Sequence, residues 1–420
     1  MTTTPDVAPP QFIARGSRIS GLDGMRGIAT VMVLLFHFSA ISAVNATSKP
    51  DLFFSRFAEA WWWGVELFFV LSGFLITGIL MDAKESAAPF FRTFYARRFL
   101  RIIPLYYVLL FLLLFVLPNY DQLEPQRVLS MRHNQLWYWG YVHNLIITFD
   151  GGQRPDLIET WHLWSLAIEE QFYIVWPAVV LLATARALPW VCVGCIVFSC
   201  VLRVVMRIDH VSPDVVHTLT LARMDSLAFG GLLAIVARSP SQFSRVTKWA
   251  PAAAIISAIA LAIIIIPERK FSPFDPDVQT FGLVFITLLS GSLLMMAGIA
   301  PRGSLAHRIL DSPVPREIGS KYSYAMYLFH WPIAVFLFRN YHLVADVPTV
   351  FGTMLPGRLL MIAICYGLSF AIAVPCWHLF EKQFLKFKEY FPYHVEPGAP
   401  TGARTEPSGE LPATALPPPS

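Results

Sequence analysis

Hydrophobic residues form long runs along this chain, and polar residues gather in the short segments between them. A helix needs roughly 20 apolar residues to cross the ~30 Å hydrocarbon core of a bilayer. The pattern therefore predicts an all-α polytopic membrane protein with about ten transmembrane helices in one bundle. The predicted spans cover residues 24–46, 61–81, 102–118, 164–185, 187–206, 217–237, 249–267, 279–300, 323–341 and 358–381.

Composition agrees with a membrane protein. Hydrophobic residues make up 55% of the 420 positions and charged residues 14%, whereas soluble domains contain about 25% charged residues. The net charge of +4 is small for this length, so we expect no nucleic-acid partner. All five cysteines fall in apolar runs, where we expect free thiols. Cys192 and Cys195 have the spacing of half a zinc site, but no second pair is near, so no metal site is predicted.

The loops predict the orientation of the bundle. Lys and Arg residues concentrate before the first span and after the second, sixth, eighth and tenth spans, which is typical of cytoplasmic loops. Both termini are therefore predicted to face the cytoplasm. Arg203, Arg207, Arg269 and Lys270 are exceptions to this alternation.

Three segments qualify the count of spans. The segment 134–149 is polar enough to be interfacial or re-entrant, and counting it as a span would give eleven. The first span has an alternative interpretation as a secretory signal. We expect disordered, Pro-rich tails at residues 1–20 and 386–420, on either side of a membrane domain at 21–385.

A histidine in the first span is the first candidate for chemistry. His37 follows Arg26 by eleven residues, which places it about 16 Å farther along the helix and about 20° around its axis. Both side chains therefore share a face. If Arg26 lies near the cytoplasmic surface, His37 lies near the bilayer midplane, where a neutral imidazole can act as a base. Asp23 can pair with Arg26 at i, i+3. A histidine that only packs against a neighbouring helix is the alternative.

Two adjacent carboxylates lie near the outer end of the fourth span. Glu169 and Tyr173 are four residues apart and share a helix face, whereas Glu170 points about 100° away. An aromatic belt with solvated carboxylates is the alternative. Spacing does not decide which glutamate is functional.

Paired arginines precede the third span. Arg98 and Arg101 are three residues apart, so their guanidinium groups project together and suit phosphate groups. A positive-inside flank explains arginines at this position equally well. Further ionisable residues in predicted spans suggest a polar cavity in the bundle. They are Glu66, Arg223, Asp225 and His330.

Together these motifs resemble the membrane-bound acyltransferase-3 family over residues 20–385. The shared features are Arg26 and His37 with ten residues between them, PhePheValLeuSerGlyPheLeuIle at 68–76, the Arg98 and Arg101 pair, TrpSerLeuAlaIleGluGluGlnPheTyr at 164–173, ArgMetAsp at 223–225 and SerTyrAlaMetTyrLeuPheHisTrpPro at 323–332. Each motif is weak alone, but their joint occurrence in this order is specific.

The resemblance implies a ten-helix bundle in the bacterial inner membrane. Members transfer an acyl group from cytoplasmic acyl-CoA to a hydroxyl of a carbohydrate of the cell envelope, such as a surface polysaccharide. Acyl-CoA is thus the expected donor, acetyl the expected acyl group, and no bound cofactor is expected. Some members carry a further esterase-like domain, and the 39 residues after position 381 lead us to expect none here.

The resemblance also suggests roles for the candidate residues. His37 is the expected general base, with Arg26 and one of Glu169 and Glu170 as further catalytic residues. Arg98 and Arg101 are expected to hold CoA phosphates. The other expected substrate-binding residues are Asp23, Glu66, Tyr173, Arg223, Asp225 and His330.

Several alternatives stay open from the sequence. Transfer is either direct or through an acyl-enzyme, for which Ser72 is a nucleophile without an identified base. A proton-coupled carrier of a sugar or small polar solute would use the same buried polar residues. A haem-binding bundle would need paired axial histidines, which His37 and His330 could supply.

Overall fold

A computed structural model of the chain describes residues 20–42, 47–85, 89–116, 118, 125–149, 158–268, 271–298, 303–341 and 349–393. Helices account for most of these residues, and no β-strand forms among them beyond an isolated bridge between Val350 and Thr353. The expected tails lie outside the described residues up to position 19 and from 394 onward. Residues 386–390, which the sequence assigns to the C-terminal tail, are helical in the structure.

Long helices form the bundle because each apolar run can satisfy its backbone hydrogen bonds internally. They are α1 (Ser20–Ser42), α2 (Gly64–Lys84), α3 (Phe90–Phe111), α4 (Trp164–Leu182), α5 (Leu188–Ile208), α6 (Thr220–Ala237), α7 (Pro240–Glu268), α8 (Leu283–Gly298), α9 (Ser323–Tyr341) and α10 (Leu355–Pro375).

Short helical segments extend or connect these helices. They are Lys49–Glu59, Ala60–Trp63, Leu112–Val116, Pro125–His133, Gln135–Trp139, His143–Leu145, Ile146–Phe149, Ile158–Leu163, Pro213–Thr218, Val278–Gly282, Leu305–Leu310, Pro313–Glu317, Ile318–Tyr322, Cys376–Glu381, Lys382–Lys386 and Phe387–Tyr390.

The ten long helices of the described chain match the ten predicted spans, and nine are long and apolar enough to cross a membrane. The exception is α9, which carries His330 in its centre and lies against other helices rather than on the outside. The segment 134–149 forms only short, broken helices, as expected for a segment that does not span.

The start of α3 differs from the prediction. The sequence placed Arg98 and Arg101 in a loop before a span at 102–118, but the helix already begins at Phe90 and carries both arginines. Charges near a helix end lower the local hydropathy without ending the helix, because long arginine side chains can reach polar surroundings.

The outer surface of the bundle is apolar. On α7 the side chains of Ile255, Ile259, Ile263 and Ile266 are each more than half exposed. Soluble proteins rarely present such continuous apolar surface. The exposed row is therefore a surface suited to lipid, and the chain is an integral membrane protein.

Helices that carry site residues approach each other closely at glycines. A Cβ on Gly73 of α2 would lie 1.9 Å from the carbonyl oxygen of Leu227 on α6. Small residues allow this kind of backbone contact between membrane helices. Near Arg26, a Cβ on Gly319 would lie 1.8 Å from the carbonyl oxygen of Asp23. Gly319 belongs to the π-helical segment that leads into α9, so this contact aligns α1 with α9.

The Gly73 contact predicts a stability effect. Gly73→Ala forces α2 away from α6, and overpacking of this kind typically costs about 1–3 kcal/mol. We expect a lower thermal unfolding midpoint in detergent. Gly367→Ala on α10 is the matched control, because nothing lies within 4 Å of its Cβ position. Equal midpoints for the two variants would contradict the close contact.

Candidate active site

A cavity of about 100 Å³, lined by both polar and apolar side chains, lies among α1, α2, α3, α4 and α9. Sequence positions far apart thus meet at one place. The cavity wall combines guanidinium, carboxyl and hydroxyl groups with aromatic side chains. Its polar residues are Arg26, Ser72, Arg98, Arg101, Ser165, Glu169, Tyr173, Ser323, Tyr324 and Tyr327.

Three arginines contribute positive charge to this wall. Arg98 and Arg101 both line the cavity, as their i, i+3 spacing predicts, and Arg26 joins them from α1. Arg26 and Arg98 repel Arg101, while Glu381 and Asp23 attract it. Asp23 lies 4.0 Å from Arg26 across one helical turn. Converging guanidinium groups of this kind stabilise a bound anion.

A hydroxyl and a carboxylate face each other beside the arginines. The Ser72 Oγ donates to Glu169 Oε1 at 2.6 Å, and the Tyr173 hydroxyl also hydrogen-bonds Glu169. The Arg98 guanidinium lies 5.6 Å from the centre of the Tyr173 ring. The structure thus supplies the hydrogen-bond acceptor for Ser72 that the sequence left unidentified.

Glu170 lies away from this arrangement. It is buried on another face of α4, does not line the cavity, and its Oε1 has no hydrogen-bond partner within the described chain. Its electrostatic neighbours include the hydroxyls of Tyr141 and Tyr324. Of the two adjacent glutamates, the structure brings only Glu169 to the cavity wall.

Histidines from three parts of the chain meet next to the cavity. His37 Nδ1 and His330 Nε2 lie 2.9 Å apart. The His162 ring packs edge-on against His330 with 5.1 Å between the ring centres. Tyr327 connects this cluster to the cavity, because its hydroxyl lies 2.6 Å from Ser165 Oγ on the wall. The hydrogen bond between His37 and His330 also leaves no space for a haem iron between those two nitrogens.

Sequence reasoning did not single out His162, Ser165 or Tyr327. All three lie within or beside the motif segments, and their polar character in apolar surroundings was the available signal. Their partners are more than 160 residues away in the chain, so no local spacing could identify the contacts.

The remaining candidates form ion pairs away from the cavity. Arg223 pairs with Glu66, which also accepts a 2.5 Å hydrogen bond from Ser226 Oγ. Arg203 Nη2 lies 2.8 Å from Asp225 Oδ2. Both pairs are almost fully buried. Since buried charges need partners, these contacts join α2, α5 and α6 and explain why Arg203 departs from the loop pattern.

The part of the chain that the structure describes contains no group of three His, Cys, Asp or Glu side chains that could hold a metal ion. Cys192, Cys195, Cys200, Cys365 and Cys376 are free thiols, as expected.

Comparison with known proteins identifies related chains. The peptidoglycan O-acetyltransferase OatA of Listeria monocytogenes is 30% identical over 331 residues, which are 75% of this chain and 49% of the relative. The O-acetyltransferase OatA of Staphylococcus aureus is 27% identical over 358 residues, which are 79% of this chain and 53% of the relative. The chain thus spans about half the length of these relatives. No solved structure matches it significantly.

A family model described as an acyltransferase domain matches residues 19–378. This match includes every helix that lines the cavity and all of the motifs named above. The chain therefore belongs to the acyltransferase domain family, the membrane-bound acyltransferase-3 family that its motifs resemble.

Proposed function

We propose that this protein is a membrane O-acyltransferase that moves an acetyl group from acetyl-CoA to a hydroxyl of a cell-envelope carbohydrate. The observation that carries the proposal is the meeting of Arg26, Arg98 and Arg101 at one cavity beside the His37 cluster. The names of the relatives support acetyl as the acyl group and a glycan as the acceptor.

The charge of the cavity wall supports binding of the acyl donor there. The cavity wall carries three arginines and the carboxylate of Glu169, so an anionic ligand gains more attraction than repulsion. Arg98 and Arg101 lie near the middle of α3, and guanidinium groups bind phosphates with paired hydrogen bonds. CoA phosphates fit this site, and the flexible arm of CoA can carry its thioester onward.

The transfer itself needs a base. His37 takes the proton from the acceptor hydroxyl, whose oxygen attacks the thioester carbonyl. The carbon–sulfur bond then breaks, and the CoA thiolate receives the proton from His37. General base catalysis of this kind contributes roughly 10² to 10⁴ in rate.

The loop charges support the orientation that we propose for the bundle. Lys and Arg residues after α2, α6 and α10 support a cytoplasmic location for those loops and for both termini. The donor then enters from the cytoplasm and the acceptor from the outer side of a bacterial inner membrane.

The carrier alternative is weakened by the ion pairs. A proton or sugar pathway would need Glu66 and Asp225 accessible to its lumen. Instead, Glu66 is held by Arg223 and Asp225 by Arg203, all four nearly fully buried. These residues support the bundle rather than a pathway.

The proposed role of Arg98 and Arg101 predicts that their removal weakens binding of the donor. Arg98→Ala/Arg101→Ala removes two charged donors, each worth about 1.5–3 kcal/mol, so we expect at least tenfold weaker binding of acetyl-CoA. Isothermal titration with protein in nanodiscs measures the Kd. Arg207→Ala is the matched control, since Arg207 pairs with Asp277 and is not on the cavity wall. Unchanged affinity in the double variant would contradict the donor site.

The proposed role of His37 predicts that its removal slows turnover without changing the affinity for the donor. We expect His37→Ala to lower kcat by roughly 10² to 10⁴ while the Kd of acetyl-CoA stays the same. The assay follows free thiol and labelled acetyl on a crude surface-glycan extract. Full turnover in this variant would exclude His37 as the base.

The same label separates direct transfer from an acyl-enzyme. Direct transfer leaves no acetyl on the protein when the acceptor is omitted. Label that stays on the wild-type protein and disappears in Ser72→Ala would indicate a covalent relay through Ser72, whose hydroxyl donates to Glu169.

A further inference from the structure

Two rings of the histidine cluster, those of His37 and His330, differ in how far they are buried. His330 is fully buried, whereas His37 keeps partial exposure. Trp331 packs on the His37 ring with 5.0 Å between ring centres and limits its rotation. No substrate can contact the fully buried ring of His330, so a role for His330 in the reaction acts through its neighbour His37.

The hydrogen-bond partners determine where the ring protons lie. His330 Nδ1 is 2.6 Å from the backbone carbonyl oxygen of Tyr327. A carbonyl oxygen only accepts, so Nδ1 of His330 carries the proton. In a neutral ring, Nε2 of His330 is then an acceptor. It lies 2.9 Å from His37 Nδ1, which must donate to it.

Both rings are neutral in this arrangement because no counter-ion is supplied. Among the described residues, no carboxylate interacts with His37 or His330. A buried cation without a partner is costly. His37 therefore has its proton on Nδ1 and a free lone pair on Nε2.

We infer that His330 is a positioning residue that holds His37 in the Nδ1–H tautomer and so makes His37 Nε2 the base. This inference rests on the proposed function. His330 takes the place that a buried carboxylate occupies in a Ser-His-Asp triad, where the third group fixes the tautomer of the base. The Tyr327 carbonyl fixes His330 in turn.

The proton balance of the step is complete. The acceptor hydroxyl gives its proton to Nε2 of His37 as its oxygen bonds to the acyl carbon. His37 is then briefly doubly protonated, and its Nδ1–H stays hydrogen-bonded to Nε2 of His330. The proton on Nε2 passes to the departing CoA thiolate, which restores the starting tautomers.

Three variants test the role of His330. His330→Phe keeps a ring but removes the acceptor, and we expect kcat to fall roughly 10²- to 10⁴-fold with the Kd of acetyl-CoA unchanged. His330→Gln places an amide oxygen near the former Nε2, and we expect it to stay within about tenfold of wild type. His143→Phe is the control, because His143 is a buried histidine that stacks on Tyr138 outside the cluster. A fall in kcat that Gln does not rescue would overturn the inference in favour of simple packing.

A second readout does not depend on activity. The ¹⁵N spectrum of histidine-labelled protein distinguishes Nδ1–H from Nε2–H tautomers. We expect Nδ1–H signals for His37 and His330, with the His330 signal absent and the His37 signal altered in His330→Phe. An Nε2–H tautomer for His37 in the wild type would overturn the inference.

Comparison with His37→Ala separates the two proposals. If His37→Ala retains turnover, the proposed base is wrong. If His37→Ala is inactive while His330→Phe is fully active, the proposed function stands and the positioning role of His330 is wrong.

Discussion

The structure depends on one constraint: a charged group inside the bilayer must find its partner within the protein. Hydrocarbon does not solvate charge, so each buried ionisable side chain pairs, lines a polar cavity or stays neutral. Glu66 pairs with Arg223, and Asp225 pairs with Arg203. The arginines Arg26, Arg98 and Arg101 line the cavity, and the buried histidines stay neutral. The same constraint therefore produces both the ion pairs that support the bundle and its candidate active site.

Close packing keeps these groups in place. Glycines let α2 meet α6 and let α1 meet the segment before α9 at backbone distance. The π-helical turn at Ile318–Tyr322 precedes the residues of α9 that reach the cavity and His37. Because α1 carries Arg26 and His37 on one continuous helix, fixing α1 against α9 fixes both ends of the site at once.

Features that depend on nearby residues, such as helices and the faces that their side chains share, could be predicted from the sequence. The apolar runs identified all ten long helices, and helical spacing correctly placed Glu169 with Tyr173 and Arg98 with Arg101. The sequence did not reveal that α3 starts at Phe90, because its arginines resemble a loop. The contact between His37 and His330 joins residues 293 positions apart, so it depends on how the helices pack and not on any spacing in the chain.

The distance between Arg26 and His37 along α1 is relevant to the long donor that we propose. Eleven residues place His37 about 16 Å beyond Arg26, from the arginine end toward the middle of the bundle. A charged ligand would lose its solvation at the depth of His37, whereas a neutral thioester would not. A donor with phosphates at one end and an acyl thioester at the other can keep its charge at the arginines and present only its neutral end to His37, the proposed base. In the mechanism that we propose, a charged molecule thus reacts deep in the membrane while its charge stays at the arginines.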